Sequence, residues 1–195
     1  MRLPVLDLYV LSLIERGLDT AYLFQREAGL SLGASTPALR RLGAARLVTR
    51  KEEKPSTKRP RHAYSLTPSG RKLAQNGWRD HFQSNRTPSD LDAVLRLADM
   101  AAHYGATPGD VARFLKTASA RASALAQQAA AAPEESNGLL YPRMRSRCEA
   151  ARLLAEAEVL RELAAGDSRV KAKIKPPASR QSAAVPRSSQ KRTRR

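Results

Sequence analysis

Two dense stretches on either side of a basic loop constrain this chain more than anything else in it. Thr36-Pro-Ala-Leu-Arg-Arg-Leu42 leads into Leu47-Val-Thr-Arg-Lys-Glu-Glu53, then Lys54-Pro-Ser-Thr-Lys-Arg-Pro-Arg61, then Ala63-Tyr-Ser-Leu-Thr-Pro-Ser-Gly70. Leu39 and Leu42, three residues apart, share one face of a helix, which turns Thr36 and Arg40, four apart, to the outside. Leu47-Val48-Thr49 and Tyr64-Ser65-Leu66 have the β-branched or alternating composition of strands. Pro55 and Pro60 deny the intervening loop a helix and keep its tip from pairing. Thr67 followed by Pro68 is a helix start, with a hydroxyl at the cap and proline where no N–H is required.

Helix, strand, cationic loop, strand, helix is the layout of a winged helix-turn-helix, in which one helix enters a DNA groove and the hairpin lies beside the phosphates. The expected fold is therefore mainly α: an N-terminal winged helix-turn-helix with three helices and a two-stranded wing, then a helical dimerisation lobe and a disordered basic tail. Apolar periodicity places the first helix at about residues 4–16, stopped by Gly17. The second is capped by Asp19 or Thr20, anchored by Tyr22, Leu23 and Phe24, and stopped by Gly29; the third runs from Gly33 or Ala34 to about Ala45. After the wing, a helix from Pro68 carries Leu73, Trp78 and Phe82, and Tyr64 packs under the wing. Ser89-Asp-Leu-Asp92 and Thr107-Pro-Gly-Asp110 open helices over about 90–103 and 108–131, the latter with Val111, Phe114, Leu115, Ala118, Ala122 and Leu125 on one side. A last helix, about 141–165, is apolar along two stripes, Leu153-Ala157-Leu160-Ala164 and Ala151-Ala155-Val159-Leu163. A helix apolar on two sides needs two neighbours, one of which could be a second subunit, and the first stripe is the dimerisation candidate.

Charge follows the same division into residues 1–85, 86–166 and 167–195. The whole chain carries +17, but residues 1–85 hold 15 Lys+Arg against 7 Asp+Glu, residues 86–166 hold 10 of each, and residues 167–195 hold 10 against 1. Positive charge at both ends with a neutral middle points to a polyanionic partner rather than to general solubility. Arg40 and Arg41 project from a helix, where a guanidinium fork can meet guanine edges or phosphates. With Gly33 and Thr36 they form the groove-facing candidate set; Lys54, Lys58, Arg59 and Arg61, on the loop, suit sugar-phosphate contact. The tail, ending Lys191-Arg-Thr-Arg-Arg195, would add sequence-independent phosphate affinity.

Other chemistries find little footing. Cys148 is the sole cysteine, which excludes an intramolecular disulfide and a cysteine-based zinc site, and it reads as a packing residue. His62, His81 and His103 lie far apart without carboxylates at ligand spacing, so no metal or other cofactor is expected. Gly29-Leu-Ser31-Leu-Gly33 matches the G-x-S-x-G nucleophile elbow, but that elbow needs a buried strand before it and a parallel sheet around it; here it is a turn between helices. An enzyme is not expected. No stretch approaches the roughly 20 apolar residues of a membrane span and none reads as a signal peptide, so a cytoplasmic, nucleoid-associated protein without a membrane partner is expected. Two readings from different classes remain: a sequence-specific regulator of transcription, or a nucleoid-type or plasmid-associated protein that coats DNA without sequence preference. A protein-interaction adaptor whose wing meets an acidic partner is a third.

The stretch Gly29-Leu-Ser-Leu-Gly-Ala-Ser-Thr-Pro-Ala-Leu-Arg-Arg-Leu-Gly-Ala-Ala-Arg-Leu-Val48, followed at its proper distance by Arg61-His-Ala-Tyr-Ser-Leu-Thr-Pro-Ser-Gly-Arg71, resembles the PadR family of bacterial winged-helix transcriptional regulators over about Leu8 to Leu73. The resemblance implies a DNA-binding repressor or activator of duplex DNA and a homodimer joined through helices beyond the wing; it also allows a pocket for a small-molecule effector between the lobes, but Trp78, Tyr104 and Phe114 read more readily as core residues. Three positions depart from the pattern: Thr36 stands where the family usually has tyrosine, Arg46 where glycine is common, and Ser35 where an apolar residue is usual. Arg46 loses the helix's left-handed glycine cap or strains it by roughly 1 kcal/mol.

Overall fold

A computed structural model describes residues 3–53, 61–82, 88–131 and 140–166. Seven helices and one hairpin follow in the order α1 (Val5–Glu15), α2 (Ala21–Ala28), α3 (Leu32–Ala44), β1 (Val48–Glu53), β2 (Arg61–Leu66), α4 (Pro68–Phe82), α5 (Leu91–His103), α6 (Pro108–Ala130) and α7 (Leu140–Ala164). The expected winged helix-turn-helix and helical lobe are both present.

α1 is the centre of the unit. Leu8, Val10, Leu11, Leu13 and Ile14 are all buried, so the helix is covered on most sides, by α3, α4, β2 and α5. The sequence around it explains the tight turns. Thr20, not Asp19, caps α2, accepting from the Leu23 N–H at 3.2 Å. Of the three anchors assigned to α2, Phe24 is fully buried, while Tyr22 lies outside, 62% exposed, with the Arg26 guanidinium over its ring. Burying a phenylalanine contributes about 1.5–3 kcal/mol, and Phe24 supplies it at the helix-turn-helix corner. Ser31 caps α3 through the Ala34 N–H at 3.2 Å, so the helix starts at Leu32, ahead of the expected Gly33 or Ala34. Asp90 rather than Ser89 caps α5, and Thr107 caps α6 as expected.

The hairpin is longer than its apolar letters. β1 and β2 pair antiparallel from Val48↔Leu66 to Glu53↔Arg61, so charged residues 50–53 continue a ladder that backbone hydrogen bonds, not side-chain pattern, sustain. Val48, Leu66 and Tyr64 hold its inner end on the core. The Tyr64 N–H donates to the Asp19 carbonyl at 2.8 Å, which ties β2 to the α1–α2 turn.

α3 ends in a left-handed residue that is not glycine. Arg46 has φ 56°, and the Leu47 N–H reaches the Leu42 carbonyl while the Arg46 N–H reaches Gly43, both at 2.9 Å. This is a Schellman closure, so the cap survives the substitution and carries its strain. Arg46→Gly is expected to raise folding stability by about 0.5–1 kcal/mol, glycine's greater unfolded-state freedom offsetting part of the relief. A urea midpoint that falls instead would contradict this reading of the turn. Ser35, a departure inside α3, is fully buried, and its hydroxyl has no hydrogen-bond partner among the described residues.

The described residues of the wing unit and of the helices after it share one apolar core. Trp78 packs edge-on to Phe82 at 5.4 Å, and Phe82 stacks on Phe114 of α6 at 4.5 Å. Trp78 and Phe114 are thereby core residues. Polar contacts reinforce the junction: Glu15 of α1 accepts from Gln75 of α4 and from the Tyr104 hydroxyl, each at 2.6 Å. Burial first, and then the Glu15 carboxylate, push the Tyr104 hydroxyl up to about 12, so it stays a donor.

α6 and α7 form an antiparallel hairpin. Phe114, Leu115, Ala118, Ala122 and Ala126 line the buried side of α6, with Ala126 taking the place expected of Leu125. Small residues let the helices approach closely enough for the Ser119 hydroxyl to donate to the Ala157 carbonyl at 2.7 Å. Leu153, Ala157, Leu160 and Ala164 are all buried within the chain. That corrects their assignment to a dimer face: the first stripe is already covered by the protein's own helices. The other side of α7 is open, with Leu154 55% and Val159 43% exposed beside Ala151 and Ala155. Cys148, expected to pack, is exposed on the same helix. The tail from residue 167 lies outside the described residues.

Candidate nucleic-acid interface

α2, a short turn and α3 make the helix-turn-helix. Gly29 leaves α2 at φ 63°, and the Leu30 N–H returns to the Phe24 carbonyl at 3.0 Å, so the chain reverses within three residues before Ser31 starts α3. α3 then divides cleanly. Ser35, Ala38, Leu39 and Leu42 face inward, whereas Leu32, Gly33, Thr36, Pro37 and Arg40 are exposed. Gly33 presents bare backbone; a Cβ there would meet only the Ser31 hydroxyl, at 4.0 Å. Pro37 has no N–H to return to the Gly33 carbonyl, so that acceptor also lacks its usual helical partner. The first turns of α3 thus offer small side chains and backbone at a helix N-terminus, with the long cation Arg40 one turn further on.

The two adjacent arginines differ. Arg40 is exposed, and among the described residues it makes no ion pair. Arg41 is tied down: its Nε donates to Asp7 Oδ2 at 2.9 Å and its Nη2 to Asp7 Oδ1 at 2.6 Å. Asp7 is 1% exposed, while half of the Arg41 side chain remains in solvent. Hydrogen bonding to Asp7 raises the Arg41 pKa further above its ordinary value, so this guanidinium is always charged. Asp7 sits in the first turn of α1, where the helix dipole also favours a carboxylate. Nothing in the spacing around Arg41 announces this pair. The available signal was the lone acid in Val5-Leu-Asp-Leu-Tyr-Val-Leu11, since a charge in an apolar helix face needs a partner.

On the wing, Arg50 meets the His62 ring across the strands, Nη2 lying 3.0 Å from Nδ1. Arg61 opens β2 opposite Glu53. Lys54, Lys58 and Arg59 lie outside the described residues, as does the Arg61 side chain. The structure therefore brings Gly33, Thr36 and Arg40 to one exposed helix face and binds Arg41 at its edge. Outside the candidate set, the Arg26 guanidinium on the exposed side of α2 lies over the Tyr22 ring and pairs with Glu27. Among the described residues no cluster of His, Cys, Asp or Glu could hold a metal ion, and no helix is long and apolar enough to cross a membrane.

No family model matches the chain, and no curated protein does. Among solved structures, the chain is similar to that of Bacillus subtilis PadR in complex with operator DNA, at 17% sequence identity and a TM-score of 0.36, over 83% of this chain and 99% of that one.

Proposed function

We propose that this protein is a sequence-specific double-stranded DNA-binding regulator of transcription, a repressor acting as a homodimer. One observation carries the reading: an exposed α3 face holding Gly33, Thr36 and Arg40, followed directly by a two-stranded hairpin whose loop sequence is cationic. Bare backbone at the helix start permits close approach, and Arg40 has the length and fork to read a guanine edge. The hairpin's loop supplies phosphate affinity that positions without reading sequence. The likeness of Gly29–Val48 and Arg61–Arg71 to the PadR motif supports the regulator class.

The second subunit docks on the open side of α7, through Ala151, Leu154, Ala155 and Val159. A row of exposed aliphatics on a two-helix hairpin is the surface that association would cover. Sizing in solution tests this directly, a monomer contradicting it.

Arg40→Ala is expected to weaken binding to a preferred site by about 1–3 kcal/mol while leaving binding to unrelated duplex nearly unchanged. Equal losses on both would assign Arg40 to phosphate contact instead. The rival reading, a DNA-coating protein without sequence preference, predicts that equal loss. The adaptor reading predicts no retention on duplex DNA at about 150 mM salt.

A further inference from the structure

We infer that Asp7 is a positioning residue for DNA binding: its buried carboxylate holds the Arg41 guanidinium in a fixed orientation, so that the fork's free edge donates to a backbone phosphate at the rim of the α3 face. The inference rests on the DNA-binding reading above and deepens it.

Asp7 takes two of the donors on one edge of Arg41, at Nε and Nη2. A guanidinium has five N–H groups, so Nη1 and the second Nη2 hydrogen remain, and the half-exposed side chain carries them in solvent. Arg41 follows Arg40 by one residue, about 100° round the helix, which places it at the border of the exposed face rather than in its middle. Borders of such faces meet the sugar-phosphate chain, and a planar fork suits a phosphate's paired oxygens. An unrestrained arginine must lose rotamer freedom on binding; one already clamped by a rigid, buried carboxylate has lost it on folding. Asp7 is anchored for this task by its place in the well-packed α1.

The charges make the test sharp. Asp7→Asn removes a negative charge, so bulk electrostatics alone predicts tighter binding to DNA. Loss of the clamp predicts the reverse: about tenfold weaker binding to a short mixed-sequence duplex, with the slope of log K against log salt reduced by about 0.9 for the lost phosphate contact. A purely structural defect would shrink the competent fraction equally at every salt and leave the slope alone. Arg41→Lys is the companion variant, because it keeps every charge and still gives Asp7 a partner but gives up the fork. The same fall in slope is expected there, and this variant decides the matter if Asp7→Asn melts below the assay temperature. Binding by Asp7→Asn as tight as the wild type or tighter, or a wild-type slope in Arg41→Lys, overturns the inference while leaving the DNA-binding reading intact. Failure of the wild-type protein to bind duplex at all overturns that reading and this one with it.

Discussion

Gly70→Ala is expected to remove about 3–5 kcal/mol of folding stability, a large share of the roughly 5–15 kcal/mol that holds a domain together. A Cβ at this position would stand 2.0 Å from the Leu47 carbonyl oxygen and 3.0 Å from its carbon. These are backbone atoms, which cannot swing aside as a side chain would. That oxygen is also an acceptor for the Thr67 N–H at 3.0 Å and the Thr67 hydroxyl at 3.1 Å, bonds that join the start of α4 to the foot of the wing. Moving it by the ångström or so that an alanine needs would break them, at about 1 kcal/mol each beyond the steric cost. Gly109→Ala is the matching control, since a Cβ there meets only the Thr107 hydroxyl at 3.8 Å. It should be neutral or stabilise by up to about 1 kcal/mol, as alanine is the better helix former. Parallel urea titrations compare the two; equal midpoints would show that α4 does not press on the wing as described.

Arg41→Ala is expected to cost about 2–4 kcal/mol, because it strands the Asp7 carboxylate in the core beside α1. The upper range for a broken buried pair is about 5 kcal/mol, and the half-exposed Arg41 side chain, which lets water approach, justifies the lower figure. Removing both charges together tells the two contributions apart: Asp7→Leu with Arg41→Met should recover most of the loss, since no buried charge is left without a partner. Denaturation of the single and double variants measures this, and a single variant that loses less than about 1 kcal/mol would mean that water already compensates Asp7.

The order and type of the elements were legible in the sequence because each carries its own local signal. Thr20 and Thr107 stand at helix starts, Gly29 closes α2, and Thr67-Pro68 restarts the chain after the hairpin. The candidate face was legible too, since Leu39 and Leu42 fix which side of α3 is buried and hence that Thr36 and Arg40 are outside. What stayed hidden depends on contacts distant in sequence. Arg40 and Arg41 look equivalent until Asp7, 34 residues earlier, is placed beside one of them. The two stripes of α7 are similarly apolar, and only the arrival of Ala118, Ala122 and Ala126 on α6 decides that Leu153, Ala157, Leu160 and Ala164 are the covered ones. Strand residues 50–53 were missed for another reason: their ladder is built by the backbone, and their side chains keep no strand pattern.

The regulator reading requires that the exposed α3 face distinguish one DNA sequence from another. Repeated selection of bound duplexes from a randomised pool, carried out on the full chain at moderate salt, measures that property without presupposing a site. Enrichment of one short motif, lost when the pool is selected with Arg40→Ala, is the predicted outcome. A pool that is retained round after round yet gains no motif would contradict it, and would describe a protein that coats DNA rather than reads it.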